Sequence, residues 1–374
     1  MASLKLLPDS GITSMVMGND IFAFAQTYEG DIYQFVGNVE KSSEFCGLRK
    51  KSNVIIERLK GKNPKPDAPK LFTPIAAVSF TDRLNKPMSE RYVFYLDDKN
   101  ILHDQYDLGN GDYQHGKLAE LKIECAHYSS LAAVTIRGDV VNHMCVFYQA
   151  LTRDGAVKMV SFAGLHRTWQ HGGANLRDPP LYGTSLSAVP PRAGILGRSS
   201  SDKSNQGQPI YYLQLDNHAL GSGQGTAGMN VMPRSSSLIL TFNTTEPLPL
   251  AGYDCDGKPV AFSPHTSLTA VDNGIHLHLI YKSHSGKVKA VRIDPKEGLL
   301  LPELFFHDVD VAPRSAIAAC IAPNTGTTTS IVLFYQALDP DSRKVQMAAR
   351  VVYKPATAAT DTKWNVSEKE VLGE

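Results

Sequence analysis

The feature that most constrains this chain is a repeat. The five residues Phe-Tyr-Gln-Ala-Leu occur letter for letter at Phe147–Leu151 and again at Phe334–Leu338. Each copy closes an apolar, β-branched run and precedes a polar turn, Arg153-Asp-Gly155 in one case and Asp339-Pro-Asp341 in the other. Weaker copies of the same strand and turn stand at Ile21–Gln26 before Glu29-Gly30-Asp31, and at Tyr92–Leu96 before Asp97–Asn100. Two more stand at Ile210–Leu215 before Asp216-Asn217, and at Leu277–Lys282 before His284-Ser-Gly286. Self-similarity of this kind marks one supersecondary unit stacked several times, because a lone unit cannot bury its apolar faces.

A second element precedes these strands and is rich in small and β-branched residues. It reads Ile12–Met17, Pro74–Phe80, Ser130–Ile136, Ser185–Val189, Ser267–Val271 and Ser315–Ile321. Helical periodicity is almost missing, and 29 glycines and 22 prolines break the apolar runs into short strands. The expected fold is all-β: a six-bladed β-propeller of four-stranded antiparallel blades, with the small-residue strands innermost, where blades converge. The expectation is one propeller domain over 1–374, with blades at approximately 11–60, 73–123, 129–178, 183–243, 265–306 and 314–371. The alternative is two stacked sandwich domains, but no linker separates the units. Tight turns join the second and third strands. Long insertions fall between strands one and two (81–90, 190–208) and between three and four (37–53, 107–116), so they crowd one face, where sites are built.

Composition narrows the function. With 38 basic and 37 acidic side chains the formal charge is +1, which supplies no drive towards phosphate backbones, so nucleic-acid binding is a poor reading. Cys46, Cys125, Cys145, Cys255 and Cys320 are odd in number and form no Cys-x-x-Cys pair, so neither a disulfide framework nor a zinc site is indicated. The first residues carry no signal-peptide pattern and no charge-free run spans a bilayer, so the expectation is a soluble cytoplasmic protein.

The small-residue strand, the Phe-Tyr-Gln strand and its turn resemble the blades of the fungal fucose-binding lectins, six-bladed propellers, over roughly residues 11–371. That resemblance implies sugar sites made of an arginine near the aromatic strand, an acid on the next strand and a tryptophan further on. Arginine and carboxylate grip vicinal hydroxyls while the indole covers the apolar sugar face. Arg91 lies near the expected place in the second copy, whereas the others offer Asp20, His143, Pro209, His276 and Thr329. The following strands at Val157, Val288 and Val345 lack the acid, and Trp169 and Trp364 are the only tryptophans. The family's repeated sugar set is therefore expected to be largely lost.

A lectin scaffold without its sugar set also resembles the fungal propeller enzymes of tropolone–sesquiterpenoid biosynthesis. Those are hetero-Diels–Alderases that join a tropolone quinone methide to a humulene-type olefin. This second resemblance implies a cofactor-free cycloaddition, with small apolar and aromatic substrates as partners and no metal. The chemistry would rest on orientation and on hydrogen bonds to a developing oxygen charge.

The densest polar and aromatic cluster is 165–177, with His166, Arg167, Trp169, His171 and Arg177 among flexible glycines. Under the cycloaddition reading His166, His171, Tyr113 and Arg177 are candidate catalytic donors, and Trp169, His115 and Tyr253 are candidate substrate-binding residues. Tyr113 and His115 lie on the long 107–116 loop. The acids around Tyr253 are too few for a calcium loop. His276 and His278 point to one face of a strand, but no neighbouring carboxylate or thiol completes a metal set in sequence. Gly223-Gln-Gly-Thr-Ala-Gly228 matches a dinucleotide pattern, yet Met229–Pro233 cannot open the helix that such a loop requires. Three functions stand side by side: a cycloaddition enzyme, a diverged carbohydrate-binding lectin, and a scaffold for protein partners.

Overall fold

The computed structural model describes residues 5–38, 53–60, 63–65, 67–81, 89–136, 142–153, 155–163, 167–172, 182–190, 210–214, 237–241, 248–249, 251–252, 266–273, 276–283, 285–294, 299–303, 309–323, 329–339, 345–354, 365–366 and 370–372. They form six sheets of four or five strands. Blade 1 comprises Ile12–Met17, Asp20–Gln26, Ile32–Asn38 and Asn53–Ile56; blade 2 comprises Ala76–Thr81, Ser89–Leu96, Leu102–Asp107 and Gln114–His115. Blade 3 comprises Leu131–Ile136, His143–Gln149, Val157–Ala163 and Thr168–Gly172; blade 4 comprises Ser187–Val189, Ile210–Gln214, Ser237–Thr241 and Leu248–Pro249. Blade 5 comprises Leu268–Asp272, Leu277–Lys282, Val288–Asp294 and Leu299–Glu303; Ala251–Gly252 adds to its outer edge in parallel. Blade 6 comprises Ile317–Ile321, Thr329–Leu338 and Val345–Lys354, with Asn365–Val366 and Glu370–Leu372 on its outer strand.

The small-residue strand is innermost in every blade, and each inner strand packs against the next until blade 6 meets blade 1. The chain is an all-β propeller. Among the described residues the helical structure is one 3₁₀ turn at Leu118–Leu121, and no helix is long and apolar enough to cross a membrane.

Side chains alternate across a strand, so each blade feeds two interfaces. In the second strand of blade 2, Tyr92, Phe94 and Leu96 pack towards blade 3 with Val146, Phe162 and Trp169. Val93 and Tyr95, one residue out of phase, pack towards blade 1 with Phe22 and Phe24. The strands that share Phe-Tyr-Gln-Ala-Leu follow suit, with Phe147 in one cluster and Val146 and Tyr148 in another. Full burial of such a side chain contributes roughly 1.5–3 kcal/mol, and here that gain resides in the joints between blades.

A buried hydroxyl recurs two residues before the first inward-packing residue of each inner strand: Ser10, Thr73, Ser129, Thr184, Thr266 and Ser315. It ties the start of the inner strand to the end of the second strand of the same blade. Thr73 Oγ1 accepts from Leu96 N at 2.8 Å, Ser129 Oγ from Gln149 N at 2.9 Å and Ser315 Oγ from Gln336 N at 2.9 Å. The glutamine at the end of the second strand then reaches the next blade. Gln26 Nε2 donates to Lys70 O, Gln149 Oε1 accepts from Gly183 N, and Lys282, its counterpart in blade 5, donates to Ala312 O. Gln336 closes the ring: its Nε2 donates to Leu7 O at 2.8 Å and its Oε1 accepts from Asp9 N at 3.1 Å.

Candidate functional site between blades 2 and 3

Two polar constellations sit on opposite sides of blade 2, at the end of the blade where its second strand begins and its third strand ends. Arg91 and Asp107 are directly opposed on neighbouring strands and form a buried ion pair through Arg91 Nε and Nη2. Asp107 Oδ1 also accepts from Gly111 N at 2.8 Å, which folds the 107–116 loop back over the pair. The guanidinium lies 4.5 Å from the Phe22 ring centre and 5.7 Å from that of Tyr113. Tyr113 completes the seal by donating its hydroxyl to Gln34 Oε1 of blade 1 at 2.7 Å. An arginine and an acid on the neighbouring strand are thus both present, and they are engaged with each other.

The second constellation lies at the joint between blades 2 and 3. Arg167, whose side chain is 41% exposed, forms a two-pronged pair with Glu90, 3.0 Å for each prong. Glu90 is buried on the blade 2 side and also accepts from Tyr92 Oη at 2.8 Å. Burial, and then the Glu90 charge, pushes the Tyr92 phenol well above its ordinary range, so it remains a donor. Half-buried Tyr106 stacks on Tyr92 at 5.6 Å and 22°, and its hydroxyl donates to exposed Gln114. At the solvent edge this joint presents one side of the guanidinium fork and the half-buried Tyr106 ring, with the carboxylate buried behind them.

Deeper in the same joint the expected stacking wall proves to be core. Trp169 is 7% exposed, packs at 5.7 Å on Phe94 and 5.1 Å on Phe162, and donates its indole N–H to Asp104 Oδ2 at 3.2 Å. Strand alternation turns the ring inward because it pairs opposite Phe162, whose own face is buried. Asp104 also accepts from Leu118 N, and burial raises its carboxyl to about 6 against those hydrogen bonds.

The other candidates do not converge. Tyr113 lies on the blade 1 side of blade 2 and Trp169 on the blade 3 side, so one pocket cannot contain both. His115 and His171 are exposed on outer strands of different blades. His166, Arg177, Tyr253 and Trp364 lie outside the described residues. His278 is fully buried, with His276 beside it at 6.2 Å. The carboxylate missing from its sequence neighbourhood arrives from the fourth strand as Glu303, 3.8 Å away. Burial, His276 and Arg292 hold His278 neutral, down to about 3. Asp67, Asp97 and His103 form a further group, in which Asp97 is a turn-closing residue: it accepts from Lys99 N and Ile101 N and meets His103 Nε2 at 3.1 Å.

Glu90, Arg167 and Tyr106 as a set escaped the sequence reading. Glu90 and Arg167 are 77 positions apart in different sheets, and only the packing of blade 3 against blade 2 reveals that they face each other.

Comparison with known proteins yields a fold. No family model and no curated protein matches the sequence. Among solved structures, the lectin of Aleuria aurantia, described as a six-bladed β-propeller with a novel fucose recognition mode, superposes with a TM-score of 0.64 at 15% identity, covering 99% of this chain and 98% of that one. The SapL1 lectin in complex with α-methyl fucoside gives 0.63 at 16% identity, with 98% of each chain covered. AofleA from Arthrobotrys oligospora gives 0.60 at 16%, covering 99% of this chain and 90% of that one. The chain shares the β-propeller fold of these proteins over nearly its whole length.

Proposed function

We propose that this protein is a non-catalytic carbohydrate-binding propeller, diverged from the lectin pattern, with its ligand at the joint between blades 2 and 3. The observation that carries this reading is the Arg167–Glu90 fork, half open to water and flanked by Tyr92 and Tyr106. A pyranose presents vicinal hydroxyls along one edge and C–H bonds on one face. The guanidinium donates to a hydroxyl oxygen, the Glu90 carboxylate accepts a hydrogen bond from the next hydroxyl, and the Tyr106 ring covers the C–H face. Charge-assisted hydrogen bonds of this kind contribute roughly 1.5–3 kcal/mol each. The neighbouring lectins whose structures name fucose make deoxyhexoses the first sugars to try. The cycloaddition reading draws on Trp169, Tyr113 and His171, which are buried, engaged with Gln34 and exposed on a separate edge, respectively.

A glycan array followed by titration calorimetry tests the proposal. The expected result is one sugar site per chain, abolished by Tyr106→Ala and weakened by Arg167→Lys, which keeps the charge and loses the fork. An array without hits, or binding indifferent to both substitutions, overturns it.

A further inference from the structure

The opposite face carries a second feature that the sugar reading leaves unused. Around the axis, at the mouth of the ring, lies a cavity of about 290 Å³ lined by the segments that lead into all six blades. Its floor is made by the nearly buried first inward-packing residue of each inner strand, from Ile12 in blade 1 to Ile317 in blade 6, and the walls above it are mostly polar. In the five blades where it is described, the residue that precedes the buried hydroxyl stands at the rim, and there the repeat breaks down. It is Asp9 in blade 1, Phe72 in blade 2, Tyr128 in blade 3, Gly183 in blade 4 and Arg314 in blade 6.

The backbone at this position makes the variation informative. Asp9, Phe72, Gly183 and Arg314 have φ of 62°, 57°, 70° and 58°, the left-handed region that glycine adopts without penalty and a bulky residue adopts at a cost. Blade 4 takes the inexpensive solution. Blades 1, 2 and 6 keep a carboxylate, an aromatic ring and a guanidinium in strained backbone while the hydroxyl and the apolar residue beside them hold constant. Strain of this kind persists where a site uses it. Neither the Asp9 carboxylate nor the Arg314 guanidinium forms an ion pair with a described residue. Lys282, the cation that feels the Asp9 charge, is held by Ala312 O at 3.0 Å.

The rim is therefore divided. Arg314 and Asp9 occupy adjacent blades across the seam of the ring, and Phe72 and Tyr128 occupy the next two, with His127 packed edge-on against Tyr128 at 4.9 Å. We infer that this cavity binds a small zwitterion with an apolar or aromatic group, the chemistry of a free α-amino acid. Arg314 takes the carboxylate, Asp9 takes the ammonium, and the side chain lies between Phe72 and Tyr128 over that floor. The volume is at the lower end of ligand pockets, which suits a ligand of this size.

Titration calorimetry of the full chain with L-phenylalanine tests the inference, with phenylalanine amide and N-acetyl-phenylalanine as probes that lack one charge each. The expected result is saturable binding at millimolar ligand, weakened about tenfold in either probe. Asp9→Asn abolishes the preference over the N-acetyl probe, and Arg314→Gln abolishes the preference over the amide. Both side chains are exposed, so near-ultraviolet circular dichroism should match the parent protein. Absence of saturable heat, or equal binding of all three probes, overturns the inference. Arg167→Lys leaves this binding intact; its loss in that variant would place the ligand on the other face and equally overturn it.

Discussion

The two interfaces of blade 2 use the same chemistry to opposite ends. Each holds one arginine against one carboxylate beside aromatic rings. Towards blade 1 the Arg91–Asp107 pair is closed off from water, with side chains 6% and 0% exposed, and Tyr113 is the plug. Towards blade 3 the Arg167–Glu90 pair is open on the arginine side. A guanidinium with no water around it has nothing left to offer a ligand and serves as a strut. One at the solvent edge can exchange part of its hydrogen bonding for a sugar hydroxyl. The difference is made by the 107–116 loop, which Gly111 N and Tyr113 Oη fold over one pair and not over the other.

Three experiments would break or sharpen this contrast. The largest effect is expected from Arg91→Ala, which leaves Asp107 buried and uncompensated and should destabilise the fold by about 3–5 kcal/mol in urea denaturation. It should leave sugar binding by the folded protein unchanged. A loss below about 1 kcal/mol would mean that the strut is solvated after all.

Next in size is the pH dependence that Asp104 introduces beneath the open pair. Its folded-state value, raised by burial to about 6, lies above the ordinary carboxylate value of 3.8. The protonated form is therefore favoured by folding. The associated stabilisation is fully present below the ordinary value and is lost as pH rises through about 6, amounting to about 3 kcal/mol. Urea midpoints measured on either side of this window should fall with rising pH in the parent and much less in Asp104→Asn. Identical profiles would contradict a buried, titrating Asp104. The smallest effect on stability belongs to Arg167→Lys, at most about 1 kcal/mol, because the exposed head keeps its charge beside Glu90. The same change should produce the largest loss in sugar titrations, the reverse of Arg91→Ala.

The propeller was legible in the sequence because its grammar is local. Each strand–turn–strand copy, the small-residue inner strand and the shared pentapeptide can be read without knowing what touches what. Register adds what local reading lacks. Arg91 and Tyr92 are adjacent in sequence and belong to different interfaces, since one step along a strand reverses the facing. The pattern around Trp169 looks the same for a ligand wall and for a core ring; opposing Phe162 and the Asp104 acceptor decide for core. The recurring buried hydroxyl was present one position before several of the quoted strands, yet Ser and Thr read as loop residues until the second strand's amide is found pointing at them. Ala251–Gly252, which joins blade 5 in parallel, carries no sequence mark at all.

The closure of the ring has a mechanical consequence. Gln336 grips Leu7 and Asp9 with the same side-chain contacts that Gln26 and Gln149 make to the blades after them. Among the described residues, no strand of the last blade is borrowed from the first part of the chain. A hoop made this way has no rivet of a different metal at its seam. Under thermal stress it should part at its weakest joint rather than where the two ends of the chain meet. Among the described joints, blade 2 to blade 3 is one without the glutamine grip, because Leu96 stands in that position. It holds instead through the Arg167–Glu90 pair, the Trp169–Asp104 hydrogen bond and the shared apolar cluster. On that side of the joint Lys70 takes the place of the glutamine, reaching from the preceding joint to Asn100 Oδ1 and His127 O.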